Sequence, residues 1–236
     1  SGTVKAVAPR VHPNGGEVMT VTIENDGEDE RDTAFSAMDW RRQDPKALGE
    51  RISAAGIVGL GGASFPTHVK LSPPEGKKID TIIINGAECE PYLTADHRLM
   101  LEHPQDVLTG LQILMKMMGV MKGYVGIEDN KRDAYEVMNI AAQEMDNIRI
   151  LSLKTKYPQG AEKQLIDAAT GRQVPSGGLP MDVGCVVVNV GTAYAITQAV
   201  TKGEPLTRRV VTVTGSIVKD PQNLLVRIGT PVSELL

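Results

Sequence analysis

Between residues 79 and 200 the sequence repeats one pattern four times: a short apolar run, a polar turn, then a stretch with helical spacing. The apolar runs cover residues 79–84, 123–127, 148–153 and 183–190. Behind the first, Val107, Leu108, Leu111, Leu114, Met115 and Met118 line one helix face that closes at Gly119. Behind the second, Ala134, Val137, Met138, Ala141, Ala142 and Met145 line another. Residues 159–169 before Gly171, and 192–200, complete the series. Strands that are apolar throughout, alternating with amphipathic helices, form parallel sheets covered on both faces. The expected fold is therefore α/β, a mostly parallel sheet with flanking helices.

The flanks differ from this centre. The opening segment alternates through Val4, Ala6 and Ala8, then Val18, Thr20, Val21 and Ile23, around the turn His12-Pro13-Asn14-Gly15-Gly16. This predicts a hairpin, ended by the acidic turn Asn25-Asp26-Gly27-Glu28, and a lone hairpin is marginal in water. Asp44-Pro45 starts a helix carrying Leu48, Ile52 and Ala55 and stopped by Gly56. Beyond Pro205, strands are expected over residues 209–215 and 224–229. Three segments result: 1–35, 36–203 and 204–236. The chain opens on Ser1-Gly2-Thr3 without Met and closes just after a strand-like segment, so both ends are expected to continue in a longer protein.

Composition narrows the function. Twenty-nine acidic against 25 basic residues give a net charge of −4, and no basic run interleaved with aromatics is present, which argues against nucleic acid. Two cysteines, Cys89 and Cys185, fall short of the roughly four ligands a structural zinc or iron–sulfur centre needs. No metal ligands are assigned in this chain. No apolar run approaches the length of a membrane span, and no signal peptide is recognisable.

Candidate chemistry gathers in four loops. Gly59-Leu60-Gly61-Gly62 can bring backbone N–H groups close to a phosphate or a planar ring, or simply turn tightly. It follows a helix, unlike a Rossmann turn, and lacks the Gly-Lys-Ser/Thr of a Walker loop. Lys70 beyond it could meet an anion. Asn85-Gly86-Ala87-Glu88-Cys89-Glu90-Pro91 follows a buried strand, where open α/β sheets bind ligands. Asn85 could serve a ring edge, and Glu88 and Glu90 could reach hydroxyls or form a solvated turn. Asp96-His97-Arg98 reads equally as a surface ion-pair cluster. Tyr157-Pro158-Gln159-Gly160-Ala161-Glu162 and Asn189-Val190-Gly191-Thr192 each precede a helix start, suited to an anion or to plain capping. No metal-binding spacing of histidines and no nucleophile–base pair is evident. Such a site suits a cofactor that carries the reaction itself.

The run from Gly59 through Phe65-Pro66-Thr67-His68-Val69-Lys70 resembles the glycine loop of the respiratory complex I flavoprotein and its relatives. Residues 85–91 with Asp96-His97-Arg98 resemble the form in the C component of Rnf complexes, which couple electron exchange between ferredoxin and NAD to ion transport. The opening segment is similar to half of a biotinyl-like barrel-sandwich domain, and the tail from Arg208 to the start of a soluble-ligand-binding β-grasp domain. The resemblance implies FMN in the crevice, along Gly59, Gly61, Gly62 and Lys70, near Asn85 and Glu88, with Gly160, Asn189 and Thr192 on the far side. It implies NAD(H) against the flavin, contacted by Phe65, Glu90 and Glu162, and hydride exchange between the two. It further implies 4Fe-4S clusters in a C-terminal region outside this sequence, partner subunits of a membrane electron-transport complex, ferredoxin as an indirect partner, and a peripheral position on the cytoplasmic face of the membrane. Ser64 replaces a commonly seen glycine, and Ala87 and Ala161 stand where complex I flavoproteins carry acids, which weakens the transfer of contacts there. A related soluble flavoprotein such as a cobalamin reductase, or a cofactor-free assembly scaffold, shares the pattern.

Overall fold

The computed structural model describes residues 1–12 and 14–236; Pro13 of the expected hairpin turn lies outside the described residues. The chain divides into two compact units, Ser1–Phe35 and Ser36–Leu236.

In the first unit, strands β1 (Gly2–Val11) and β2 (Glu17–Asn25) pair antiparallel with a bulge between Val4 and Ala6. The register places Val4, Val7, Pro9, Met19, Val21 and Ile23 on one face. The five large side chains among them are each more than half exposed. A two-stranded ribbon has no second layer within itself, so this apolar face stays open.

In the second unit, α1 (Pro45–Ala54) begins as expected, with Asp44 accepting from the Ala47 N–H at 2.8 Å. The short helix α2 (Thr67–Lys70) follows the glycine loop. Then come β3 (Thr81–Gly86), α3 (Ala95–Glu102), α4 (Pro104–Met118), β4 (Lys122–Glu128), α5 (Arg132–Ala141), β5 (Ile148–Leu153), α6 (Glu162–Thr170), β6 (Cys185–Asn189) and α7 (Val190–Thr197). Helix α7 runs on into a π-helical turn, Gln198–Lys202. The tail forms an antiparallel pair, β7 (Arg208–Val213) and β8 (Gln222–Arg227).

The central sheet is parallel throughout, in the order β5-β4-β3-β6. Ile83, Leu153, Cys185 and Val187 pack with Leu165 and Ile166 of α6 on one face. The alternate residues Ile82, Ile84, Val125 and Val186 face the layer holding α4 and α7, and all four are buried. This sidedness follows from the chain path. Successive strands β3, β4 and β5 add in one direction, and the return to β6 reverses it, so right-handed crossovers put α6 on the opposite face from α4.

That reversal places a topological switch point between β3 and β6, and ligands of open α/β sheets enter beyond the carboxyl ends of the strands there. Asn85 and Asn189, the last polar residues of these strands, sit side by side in register.

Candidate functional site

The glycine loop leaves α1 and folds over the end of β6. Gly59 N–H donates to Phe65 O at 2.8 Å, closing the loop on itself. Leu60 N–H donates to the Thr192 hydroxyl at 2.9 Å, which anchors the loop to the first turn of α7. Gly61 then passes so close to Asn189 that a Cβ there would lie 3.3 Å from the Asn189 Cβ. Gly62 (φ +135°) has open space where its Cβ would be. The next turn puts Ser64 at φ 51°, a left-handed conformation that a non-glycine residue adopts at some cost.

Asn189 is fully engaged. Its Oδ1 accepts from Gly191 and Thr192 N–H, capping α7, while its Nδ2 donates to Asp96 Oδ2 at 2.6 Å. Asp96 lies in the first turn of α3, a helix that the sequence pattern does not reveal. Burial, reinforced by the neighbouring Glu88 carboxylate, pushes the Asp96 carboxyl up to about 7, against the opposing bond from Asn189. Glu88 itself caps α3: its two oxygens accept from Asp96 N–H at 3.0 Å and His97 N–H at 3.2 Å. His97, read from sequence as part of a surface cluster, bonds through its ring to Asp133 of α5 at 2.8 Å.

On the other flank, Asn85 Nδ2 donates to Gly160 O at 2.8 Å, and its Oδ1 accepts from Ala87 N–H. Gly160 is wedged so tightly that a Cβ would stand 2.3 Å from Ala87 O. Its N–H reaches the Cys89 sulfur at 3.4 Å, and burial pushes the Cys89 thiol up, which disfavours a nucleophilic thiolate. Helix α6 starts at Glu162 rather than at residue 159, because Gln159 and Ala161 N–H bond back to Lys156 O and Pro158 O in a preceding turn while Gly160 is held against the β3 loop. Among the described residues no side chain caps α6, so its first amides are left for another acceptor. Glu162 Oε1 accepts from Lys70 Nζ at 2.5 Å, joining the far end of the glycine loop to the β5–α6 loop.

The four loops therefore close a ring around the switch point, and all twelve candidate residues fall on it. They differ in availability. Asn85, Glu88, Asn189 and Thr192 spend their side-chain groups holding loops together, and Gly59 and Gly160 make close backbone contacts. Gly61, Gly62, Phe65 and Glu90 are exposed, and Lys70 and Glu162 are partly so. The Lys70–Glu162 pair is about one-third exposed on each side, so it is weak enough to open for a competing anion. A shallow glycine surface, a cation and an uncapped helix start fit a planar ring carrying a phosphate.

Two contributors escape sequence reading. Lys131 Nζ, buried, donates to Glu88 O at 3.0 Å and Glu128 Oε2 at 3.3 Å, pinning the β3 loop to the end of β4. Arg209 of β7 donates to Leu60 O at 3.3 Å. Neither sits in a recognisable motif, and their partners lie 43 and 149 residues away. Among the described residues no helix is long and apolar enough to cross a membrane, and no cluster of three or more His, Cys, Asp or Glu side chains could hold a metal ion.

Residues 52–198 match the family model of the Nuo51 FMN-binding domain. Over its full length the chain is 52% identical to the C component of the proton-translocating ferredoxin:NAD(+) oxidoreductase complex of Clostridium ljungdahlii, covering 52% of that protein. It is 51% identical to the counterpart in the Na(+)-translocating complex of Acetobacterium woodii, covering 54%. It is 46% identical to the C component of the ion-translocating oxidoreductase complex of Salmonella gallinarum, covering 35%. The chain thus spans between a third and a little over half of these relatives. Two structures of NAD+-reducing NiFe-hydrogenase, H2-reduced and air-oxidised, share the fold, with TM-scores of 0.65 and 0.67 at 20% and 22% identity. They cover 83% and 81% of this chain, which covers 40% and 38% of theirs.

Proposed function

Because the chain belongs to the Nuo51 FMN-binding domain family, we propose that its switch-point crevice holds FMN and exposes one face of the ring to NAD(H), within the C component of an ion-translocating ferredoxin:NAD oxidoreductase complex. The observation that carries this reading is the closed ring of four loops at the one place where a sheet of this topology receives ligands. The matched segment includes all twelve candidate residues. FMN, when bound, supplies the two-electron and one-electron chemistry that no side chain here provides.

The protein's own part is to bind and to orient. Gly61 and Gly62, exposed and without side chains, would let the ring approach their backbone. Lys70, partly exposed beside Glu162, would be the residue to meet the phosphate, and the exposure of that pair would keep the exchange of partners cheap. Asn85, Asn189, Glu88 and Thr192 act from behind by fixing the loops, so the crevice is set before the ligand arrives. Phe65 and Glu90, exposed at the rim, are assigned to the dinucleotide. The open apolar face of the β1–β2 hairpin supports its reading as half of a barrel-sandwich domain, whose other strands would cover Val7, Met19 and Val21. Residues 204–236 are assigned to the start of a β-grasp domain. The 4Fe-4S clusters are assigned to the remainder of the longer relatives, with ferredoxin and the partner subunits beyond them. A peripheral position on the cytoplasmic face of the membrane belongs to the same proposal.

Anaerobic NADH titration of the FMN-loaded protein tests this. Bleaching of the flavin visible band is expected. Lys70→Ala should weaken FMN binding about tenfold, the scale of one charge-assisted hydrogen bond, and Glu90→Ala should raise the NADH needed for half-bleaching. A parent protein whose bound flavin is untouched by NADH, or two variants that behave as the parent does, would refute the assignment.

A further inference from the structure

The FMN-binding family match ends at residue 198, yet contacts with the ring of loops continue further along the chain. Strands β7 and β8 fall outside the matched segment and meet its rim at two points. At the first, Thr212 Oγ1 accepts from Thr94 N–H at 3.1 Å and donates to Asn223 Oδ1 at 2.7 Å, while Asn223 Nδ2 donates to Thr94 Oγ1 at 2.9 Å. Thr94 is the residue that enters α3, so this trio fixes the turn just ahead of Asp96. At the second, Arg209 Nη2 donates to Leu60 O inside the glycine loop.

The Leu60 peptide is consequently gripped from both sides. Its N–H is held by Thr192 of α7 and its carbonyl by Arg209 of β7, and the next residue is Gly61, whose backbone lies against Asn189. Arg209 is poorly satisfied in this position. Its Nε is buried and has no hydrogen-bond partner among the described residues, a cost of the kind that persists where a group is needed in place. What it gains there is the Leu60 carbonyl, which accepts from Nη2. A side chain chosen for strand packing alone would be apolar here. The guanidinium instead reaches from the tail into the glycine loop.

We propose that the β7–β8 hairpin is a working part of the crevice and that Arg209 is a positioning residue, holding the Leu60–Gly61 peptide in the geometry that receives the ligand. This deepens the flavin reading and rests on it for the identity of the ligand, but the hold on the loop is a property of this chain alone. It also implies that a chain cut after the π-helical turn would keep the matched fold while losing an ordered glycine loop.

Amide hydrogen exchange of the full chain tests the proposal without any cofactor. In Arg209→Met, amides of residues 60–64 should exchange at least about tenfold faster relative to those of α4, on the scale of one hydrogen bond to a charged donor. Arg209→Lys, which keeps the cation on a shorter reach, should fall between the two, and Arg208→Met, altering the exposed neighbour, should match the parent. A purely structural role would raise exchange in α4 to the same extent and leave the ratio unchanged. FMN affinity, measured on the same proteins, should fall about tenfold in Arg209→Met. An unchanged exchange ratio in both Arg209 variants overturns the proposal, whatever FMN does. A raised ratio in a protein whose parent binds no FMN supports Arg209's hold on the loop and overturns the flavin assignment instead.

Discussion

Lys131→Met is expected to cost about 3–5 kcal/mol of stability, the range found when one partner of a buried ion pair is removed. Lys131 and Glu128 are 7% and 2% exposed. Deleting the ammonium leaves the buried Glu128 carboxylate without a counter-charge at Lys131, with a long bond from Lys156 N–H at 3.4 Å. It also releases Glu88 O, and with it the loop that caps α3. For a unit of this size, thermal unfolding should move down by about 10 °C. The double variant Lys131→Met with Glu128→Leu should recover most of the loss, because an apolar pair of similar volume needs no counter-charge. A single variant that melts within a degree or two of the parent would show that the pair contributes nothing to stability.

Gly110→Ala should be the most damaging small substitution in the helical layer. Gly110 lies in the middle of α4 where α7 crosses it, and a Cβ there would stand 2.1 Å from Ala193 O and 2.7 Å from Ala193 C. Both are backbone atoms, so no rotamer change relieves the clash and the helices must separate. A loss of about 3 kcal/mol is expected, the upper end for overpacking. The displaced helix carries Asn189 and Thr192 at its start, so the glycine loop should loosen with it. Gly49→Ala provides the contrast. It sits within α1, and its added methyl would meet only Met117 Sδ at an ordinary 3.8 Å. That variant should gain up to about 1 kcal/mol through helix propensity. Urea unfolding of both proteins checks the pair, and equal midpoints would contradict the packing argument.

The strands and longer helices were legible because their signals are local. Every apolar position read on the helix before Gly119 lies on α4, and both Gly119 and Gly171 take the left-handed conformation that ends a helix. Helix α3 was not legible. It buries only Leu99 and Met100, and its cap is Glu88, well upstream of Thr94. The sequence pattern offered Glu88 as a ligand contact, and its oxygens are instead spent on that helix. The fourth apolar run begins as strand only at Cys185, because Pro180–Val183 turn in a 3-10 helix first. Candidate site residues were recognisable as polar ends of strands and as a glycine-dense loop. Their division into those that face a ligand and those that brace the loops depends on pairings such as Asn189–Asp96 and Asn85–Gly160, which no local pattern encodes.

Gly61, Asn85 and Asn189 together should form one preformed FMN crevice. Its most direct test is an equilibrium titration of FMN, followed by flavin fluorescence, against the parent protein and Gly61→Val. A valine at residue 61 would press into Asn189 and cover the glycine surface. Saturable one-to-one binding by the parent is expected, and binding at least about tenfold weaker in the variant. Absence of saturable binding in the parent, or equal affinity in the two proteins, would contradict it.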